Sequence, residues 1–164
     1  MTHSVAVRTF GHLPCGTPVE AWTITGAGTL VAEVITYGAT VTRLLTPDRN
    51  GCLSDVVLGF DSFDAYLKNR AYIGAIAGRV AGRISSARFS LEGRTYLLAP
   101  NDPPNHLHGG REGFDKKIWT AAPVSCNGLA ALRLTYRSPD GEEGYPGMVD
   151  VTVTYTVTES NVLL

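Results

Sequence analysis

The clearest pattern in this chain lies near its end. Val149, Val151, Val153, Tyr155 and Val157 alternate with Asp150, Thr152, Thr154, Thr156 and Thr158. A repeat of two places successive side chains on opposite faces of a strand, so one face here is apolar and the other threonine-rich. Shorter runs of the same kind occupy much of the remaining chain. Val19 to Thr25 alternates weakly and stops at Gly26-Ala27-Gly28. Leu30 to Ile35 and Val41 to Leu45 are β-prone and are separated by Tyr37-Gly38. Pro47-Asp48-Arg49-Asn50-Gly51 is a turn, after which Val56-Val57-Leu58 resumes the strand pattern. Arg88 to Leu91 and Arg94 to Leu98 flank Glu92-Gly93 and predict a tight hairpin. Trp119 to Val124 and Leu129 to Tyr136 form a second pair around Asn127-Gly128. A single short helix is predicted over Ser62 to Leu67, with Asp61 or Ser62 as its cap. Many short strands joined by Gly, Pro, Asn and Asp turns make an all-β fold, an antiparallel sandwich or barrel. There is no internal repeat and no low-complexity segment.

After the last strand comes a turn, Thr158-Glu159-Ser160-Asn161, and then Val162-Leu163-Leu164 begins another strand pattern where the chain stops. An unpaired edge carrying an apolar stub is a liability in a finished sheet. The expectation is therefore an antiparallel β-sandwich that is incomplete at its C-terminus, with residues 1–164 forming the N-terminal portion of a larger domain. Exposed strand edges should then drive self-association. The alternative is a tail that packs down as a short terminal strand.

Composition narrows the function classes. A chain of 164 residues is long enough to bury a real core. Its 14 basic and 15 acidic residues nearly cancel, which gives no electrostatic case for nucleic acid or an anionic membrane as partner. No stretch approaches the length of a transmembrane helix, and the first residues lack the apolar run of a signal peptide. Cys15, Cys52 and Cys126 are far apart and odd in number, as expected of free thiols in a reducing, cytoplasmic compartment.

Candidate chemistry concentrates in residues 101–115, where His106-Leu107-His108 is followed by Gly109-Gly110. Imidazole titrates near neutrality, so the pair is a natural proton-handling group. The two glycines are expected to turn the chain tightly and to leave room for a ligand beside the ring. On a strand the two rings share a face and could hold one metal ion, and Glu112 follows at a cupin-like spacing. A catalytic metal site usually needs three protein ligands, and no histidine follows His108. No metal is expected. Gly78-Arg79-Val80-Ala81-Gly82-Arg83-Ile84 offers two guanidiniums suited to sugar hydroxyls or to ion pairing, the latter more for Arg79 than for Arg83. The segment does not follow a strand–G-x-G-x-x-G–helix pattern, so no dinucleotide cofactor is expected. Ser138 to Gly147 carries Asp140, Glu142 and Glu143, but the spacing fails the EF-hand pattern and Pro-Asp-Gly and Tyr-Pro-Gly mark turns. Phe114 and Trp119 are predicted core residues.

Taken together, Gly78 to Ile84, the Glu92-Gly93 hairpin, Asn105-His-Leu-His-Gly-Gly-Arg-Glu-Gly-Phe-Asp-Lys-Lys-Ile-Trp119 and Ser138-Pro-Asp-Gly-Glu-Glu-Gly-Tyr-Pro-Gly147 resemble the aldose 1-epimerase (galactose mutarotase) family, in that family's order. The resemblance runs from about Val19 to the end. It implies a β-supersandwich, an aldohexose substrate and interconversion of α and β anomers by ring opening and reclosure. It implies substrate binding at Gly82, Arg83 and His108, with His108 also an auxiliary catalytic group beside the reacting centre. Gly82 stands where the family has asparagine, so one side-chain contact is lost or replaced, and His106 is non-catalytic. The family's acid histidine and base glutamate lie beyond the Tyr-Pro-Gly strand and have no counterpart in these residues, so the chain alone should be inactive. The competing expectation is a non-enzymatic carbohydrate-binding or structural β-domain.

Overall fold

A computed structural model describes residues 4–26, 28–68 and 71–164. The first five strands, β1 (Ser4–His12), β2 (Pro18–Thr25), β3 (Val31–Ile35), β4 (Thr40–Pro47) and β5 (Leu53–Asp55), form one antiparallel meander in chain order. One helix, α1 (Phe63–Lys68), follows. Two small ribbons come next: β6 (Arg83–Ile84) pairs with the later β9 (His106–Leu107), and β7 (Arg88–Leu91) pairs with β8 (Arg94–Leu97). A second antiparallel sheet, β10 (Thr120–Cys126), β11 (Leu129–Ser138) and β12 (Val149–Thr156), completes an antiparallel β-sandwich.

The two large sheets share one core. Ile24, Ala32 and Val34 of the first meet Leu132 and Leu134 of the second, with Phe114, Trp119 and Val157 filling between. The alternation predicted for β12 holds over Val151 to Tyr155, whereas at the ends Val149 is exposed and Thr156 is buried. Val151, Val153 and Tyr155 pack against this core, while Thr152 and Thr154 on the other face are exposed. Val153 lies opposite Leu134 and Tyr155 opposite Leu132, so the apolar face is continuous across the ladder. β2 is different, because both of its faces are covered. Ile24 points into the main core, whereas Val19 and Ala21 pack with Ile35 beneath Phe63 and Tyr66 of α1. A strand buried on two sides loses the contrast between faces, which explains its weak alternation.

Three elements differ from the sequence expectation. β1 was not predicted. It is an edge strand, mostly exposed, with a register shift between Thr9 and Gly11, so it carries little apolar signal. Val56 to Leu58 does not form a strand, and Val56 and Leu58 are 59% and 78% exposed. The Asp55 carboxylate accepts the amides of Leu44 at 3.0 Å and Val57 at 3.2 Å, which turns the chain away after β5. The C-terminal residues fold back on the end of β12: Thr156 and Leu164 exchange backbone hydrogen bonds of 3.0 and 2.9 Å. Cys15 and Cys52 are exposed free thiols and Cys126 is a half-buried one. Among the described residues no helix is long and apolar enough to cross a membrane.

Candidate functional site

The Gly-Arg segment and the His-x-His segment are zipped together by the β6–β9 ribbon. Arg83 pairs with Leu107 and Ile84 with His106. One step further, the His108 amide donates to the Gly82 carbonyl at 3.0 Å. The Gly82 amide in turn donates to Nδ1 of His108 at 3.1 Å. A ring nitrogen that accepts a hydrogen bond carries no proton, so this contact assigns the proton of the neutral imidazole to Nε2 and makes Nε2–H a donor. Residues 26 apart in sequence thus set both the place and the tautomer of one ring. His108 itself has φ +48°, the left-handed region that few non-glycine residues adopt.

The loop that carries His108 is held from two sides. Asn101 accepts the Leu107 amide at 2.8 Å and donates to the carbonyls of Leu107 and Gly110 at 2.9 and 3.0 Å. Glu143, reaching back from the Ser138–Gly147 loop, accepts the amides of Arg111 at 3.1 Å and Glu112 at 2.8 Å. The glycines after His108 serve this packing. A Cβ on Gly109 would overlap the Gly78 carbonyl, and one on Gly110 would overlap the Glu143 carboxylate. The space expected there for a ligand is therefore filled by protein. The open space lies at Gly82, where nothing stands within 4 Å of a Cβ position.

His106 has a separate role. It is fully buried, with Nδ1 2.8 Å from the Ala99 carbonyl and Nε2 2.8 Å from the Tyr145 hydroxyl. A carbonyl only accepts, so Nδ1 donates and Nε2 takes the Tyr145 proton. Burial pushes that phenol up to about 12, which keeps it protonated. Because β9 ends at Leu107 and His108 turns left-handed, the two imidazoles do not share a strand face. Among the described residues no three potential metal-ligating side chains converge.

The ion pair expected of Arg79 is made by Arg83 instead. Arg79 makes no salt bridge to a carboxylate among the described residues. It donates to the Ser138 hydroxyl at 2.8 Å and to the carbonyls of Ser138, Pro139, Pro146 and Gly147, tying both ends of the loop that carries Glu143. Arg83 makes the ion pair, Nε to Asp102 at 2.7 Å. Its side chain is 62% exposed and that of Asp102 38%, so the pair adds little stability and leaves the guanidinium at the surface. The acids of the Ser138–Gly147 loop are structural. Glu142 bonds Ser138, Tyr136 and Lys117. Burial raises its carboxyl, but those hydrogen bonds outweigh burial and hold it below the ordinary range. Phe114 and Trp119 lie in the core, as predicted.

A cleft of about 590 Å³ opens beside the His108 loop, lined by Tyr72, Asn101, Asp102, Leu107, Arg111 and Lys116 among others. Arg83 does not line it but is paired with Asp102, which does. The His108 ring packs on Tyr72 at 4.7 Å between centroids, and Lys116 Nζ lies 5.0 Å over the same tyrosine. Tyr72 has φ +56°, so the two rings in contact both sit on left-handed backbone. Strain of this kind persists where surrounding structure enforces it, often at functional sites. Sequence reasoning singled out neither Tyr72, Asn101, Asp102 nor Lys116. Only Asn101 and Asp102 carried a signal, as polar residues at the head of the segment holding the histidines.

Known proteins share this sequence and fold. The family model described as aldose 1-epimerase matches residues 20–164. Galactose mutarotase of Bos taurus is 48% identical over 155 residues, which cover 94% of this chain and 44% of that protein. Aldose 1-epimerase of Escherichia coli (strain K12) is 35% identical over 148 residues, covering 90% and 42%. Among solved structures, galactose 1-epimerase from Lactobacillus acidophilus NCFM superposes with a TM-score of 0.86 at 26% identity, over 99% of this chain and 47% of that one. An aldose epimerase homologue from C. elegans gives 0.78 at 36% identity, over 86% and 42%. The chain spans less than half the length of each of these relatives. With the match running across both sheets and the β6–β9 ribbon, the chain belongs to the aldose 1-epimerase family.

Proposed function

We propose that residues 1–164 are the N-terminal portion of an aldose 1-epimerase and supply its first set of sugar contacts. The substrate is a neutral aldohexose such as galactose or glucose. Anomer exchange needs a base on the C1 hydroxyl and an acid on the ring oxygen, with the roles reversed on closure. In this reading that pair lies outside these residues, and the chain alone does not catalyse mutarotation. His108 is auxiliary: its Nε2–H donates to the sugar beside the reacting centre. Arg83 reaches sugar hydroxyls with its terminal amino groups while Nε holds Asp102, and Gly82 positions the imidazole by its amide. Proton transfer between sugar oxygens requires no metal or organic cofactor. Free cysteines fit a cytoplasmic setting.

The observation that carries the reading is the reciprocal bonding of Gly82 and His108, which pre-orients one donor beside an open cleft. Titration of the purified chain with galactose tests it. Wild type should bind and His108→Ala should lose affinity by about tenfold, the cost of one lost donor to a polar ligand. Polarimetry on fresh α-D-galactose should show no acceleration by the chain alone. Equal affinity of wild type and His108→Ala, or dose-dependent mutarotation, would contradict the proposal.

A further inference from the structure

Three consecutive residues carry the backbone of the site through the left-handed region: His108 at φ +48°, Gly109 at +87° and Gly110 at +111°. Glycine adopts such angles freely and so holds none of them firmly, while a histidine there is strained. The run cannot set the direction of the imidazole by itself. It is fixed where side chains from elsewhere grip it. Before it, Asn101 bonds both backbone groups of Leu107 and reaches on to the Gly110 carbonyl. Immediately after it, the Glu143 carboxylate accepts the successive amides of Arg111 and Glu112, one on each oxygen. The same carboxylate fills the space where a Cβ of Gly110 would stand.

Glu143 is itself anchored. It has φ +52° in the loop between β11 and β12, and Arg79 ties the two ends of that loop through Ser138, Pro139, Pro146 and Gly147. Arg79 stands three residues before Gly82, whose amide bonds the ring of His108. The contacts close a circuit. Arg79 fixes the loop that carries Glu143, Glu143 fixes the segment after His108, and Gly82 fixes the ring. Amides that converge on a carboxylate make charge-assisted bonds, stronger than neutral ones. Both oxygens of Glu143 are committed to the backbone, so its action falls on the His108 loop and not on a ligand.

We propose that Glu143 is a positioning residue of the sugar site. It holds the His108 loop so that the ring stays on the Gly82 amide, and sugar affinity depends on it through His108. The proposal rests on the sugar-binding reading above.

Glu143→Gly removes the carboxylate while tolerating the left-handed backbone, and Glu143→Gln keeps the size and one acceptor oxygen. Galactose titration and NMR of the histidine rings read both variants of the chain. Glu143→Gly should weaken galactose binding about tenfold, and Glu143→Gln by less. In both, Nδ1 of His108 should move toward the protonated position, while the ring of the buried His106 stays where it is. On a His108→Ala background, Glu143→Gly should lower galactose affinity no further, because a residue that acts through another has nothing left to act on. If Glu143→Gly does not fold, Glu143→Gln carries the same comparison. Equal weakening with and without His108, or a His108 ring unchanged in both variants, would overturn the proposal. So would a His106 ring that moves as far as that of His108, since Glu143 would then support the fold at large. If the wild-type chain binds no galactose, the sugar reading fails and the ring spectra decide the positioning claim: a His108 ring released from its tautomer supports it, and a ring that keeps its tautomer overturns it.

Discussion

Gly82 and His108 are bonded twice, amide to ring nitrogen at 3.1 Å and amide to carbonyl at 3.0 Å, and Gly82 does this with φ +83°. The backbone conformation, not lack of space, is what demands a small residue there, because a Cβ would meet nothing within 4 Å. Gly82→Ala should cost about 1 kcal/mol through left-handed strain alone, and Gly82→Val more, because branched side chains tolerate that region least. Gly82→Asn should cost least, since asparagine tolerates the left-handed region, and it would place the family's amide beside His108. Chemical denaturation of the four proteins gives the ranking. A valine variant as stable as wild type would show that Gly82 is not held in this conformation.

The two histidines should separate cleanly by their effects. His106→Ala leaves the buried Tyr145 hydroxyl without its partner, leaves the Ala99 carbonyl only the Asn101 amide and opens a cavity, at a cost of about 2–5 kcal/mol. His108→Ala should cost less, about 1–2 kcal/mol, because the ring is only half-buried and its loss removes one hydrogen bond and the contact with Tyr72 while the left-handed position stays. Urea melts measure both. The reverse order of stabilities would mean that the buried imidazole is not a structural strut.

Acid should loosen the loop that holds the site. Glu142 titrates below its ordinary 4.5 because Ser138, Tyr136 and Lys117 bond its ionised form more than burial opposes it. A carboxyl depressed in the folded state adds stability that is fully present above its unfolded pKa and lost as pH falls through its folded pKa. Stability should therefore drop below about pH 4.5. Glu142→Gln should be less stable at pH 7 and show a shallower acid decline. A parallel decline in both proteins would remove Glu142 from the account.

How much of this was legible in sequence follows from what each side chain faces. β12 was readable because one of its faces meets the core and the other meets water. The hairpins at Glu92-Gly93 and Asn127-Gly128 were readable because turn chemistry is local: all four turn residues have positive φ. β1 was not readable, since an exposed edge strand has no buried face to mark it. The candidate site was marked in sequence by its histidine pair and its two arginines, while the roles expected of Arg83 and His108 came from family resemblance. Its support was hidden because it is long-range: Glu143 reaches amides 31 and 32 residues away, and Arg79 spans 59 to 68 residues to its acceptors. The purpose of Gly109 and Gly110 was misread for the same reason, since the Gly78 carbonyl and Glu143 that crowd them are invisible in a local window.

The edge of β12 is expected to drive self-association. β12 is the last strand of its sheet, and Met148, Val149 and Leu164 near its ends are 61%, 38% and 65% exposed. An open edge with apolar flanks pairs readily with another chain. Sedimentation velocity across a concentration series should show reversible self-association, weakened by Val149→Lys. A monomer at every concentration would refute this.

Gly82 holds His108 as the Nε2–H tautomer, and the proposed function has that hydrogen donated to a sugar. Long-range ¹H–¹⁵N correlation spectra of the histidine rings test it directly, because protonated and unprotonated ring nitrogens resonate far apart. At neutral pH Nδ1 of His108 should be unprotonated and Nε2 protonated, and saturating galactose should move Nε2 while leaving the fully buried His106 unchanged. A His108 ring protonated at Nδ1, or one whose Nε2 does not respond to galactose, would contradict the account.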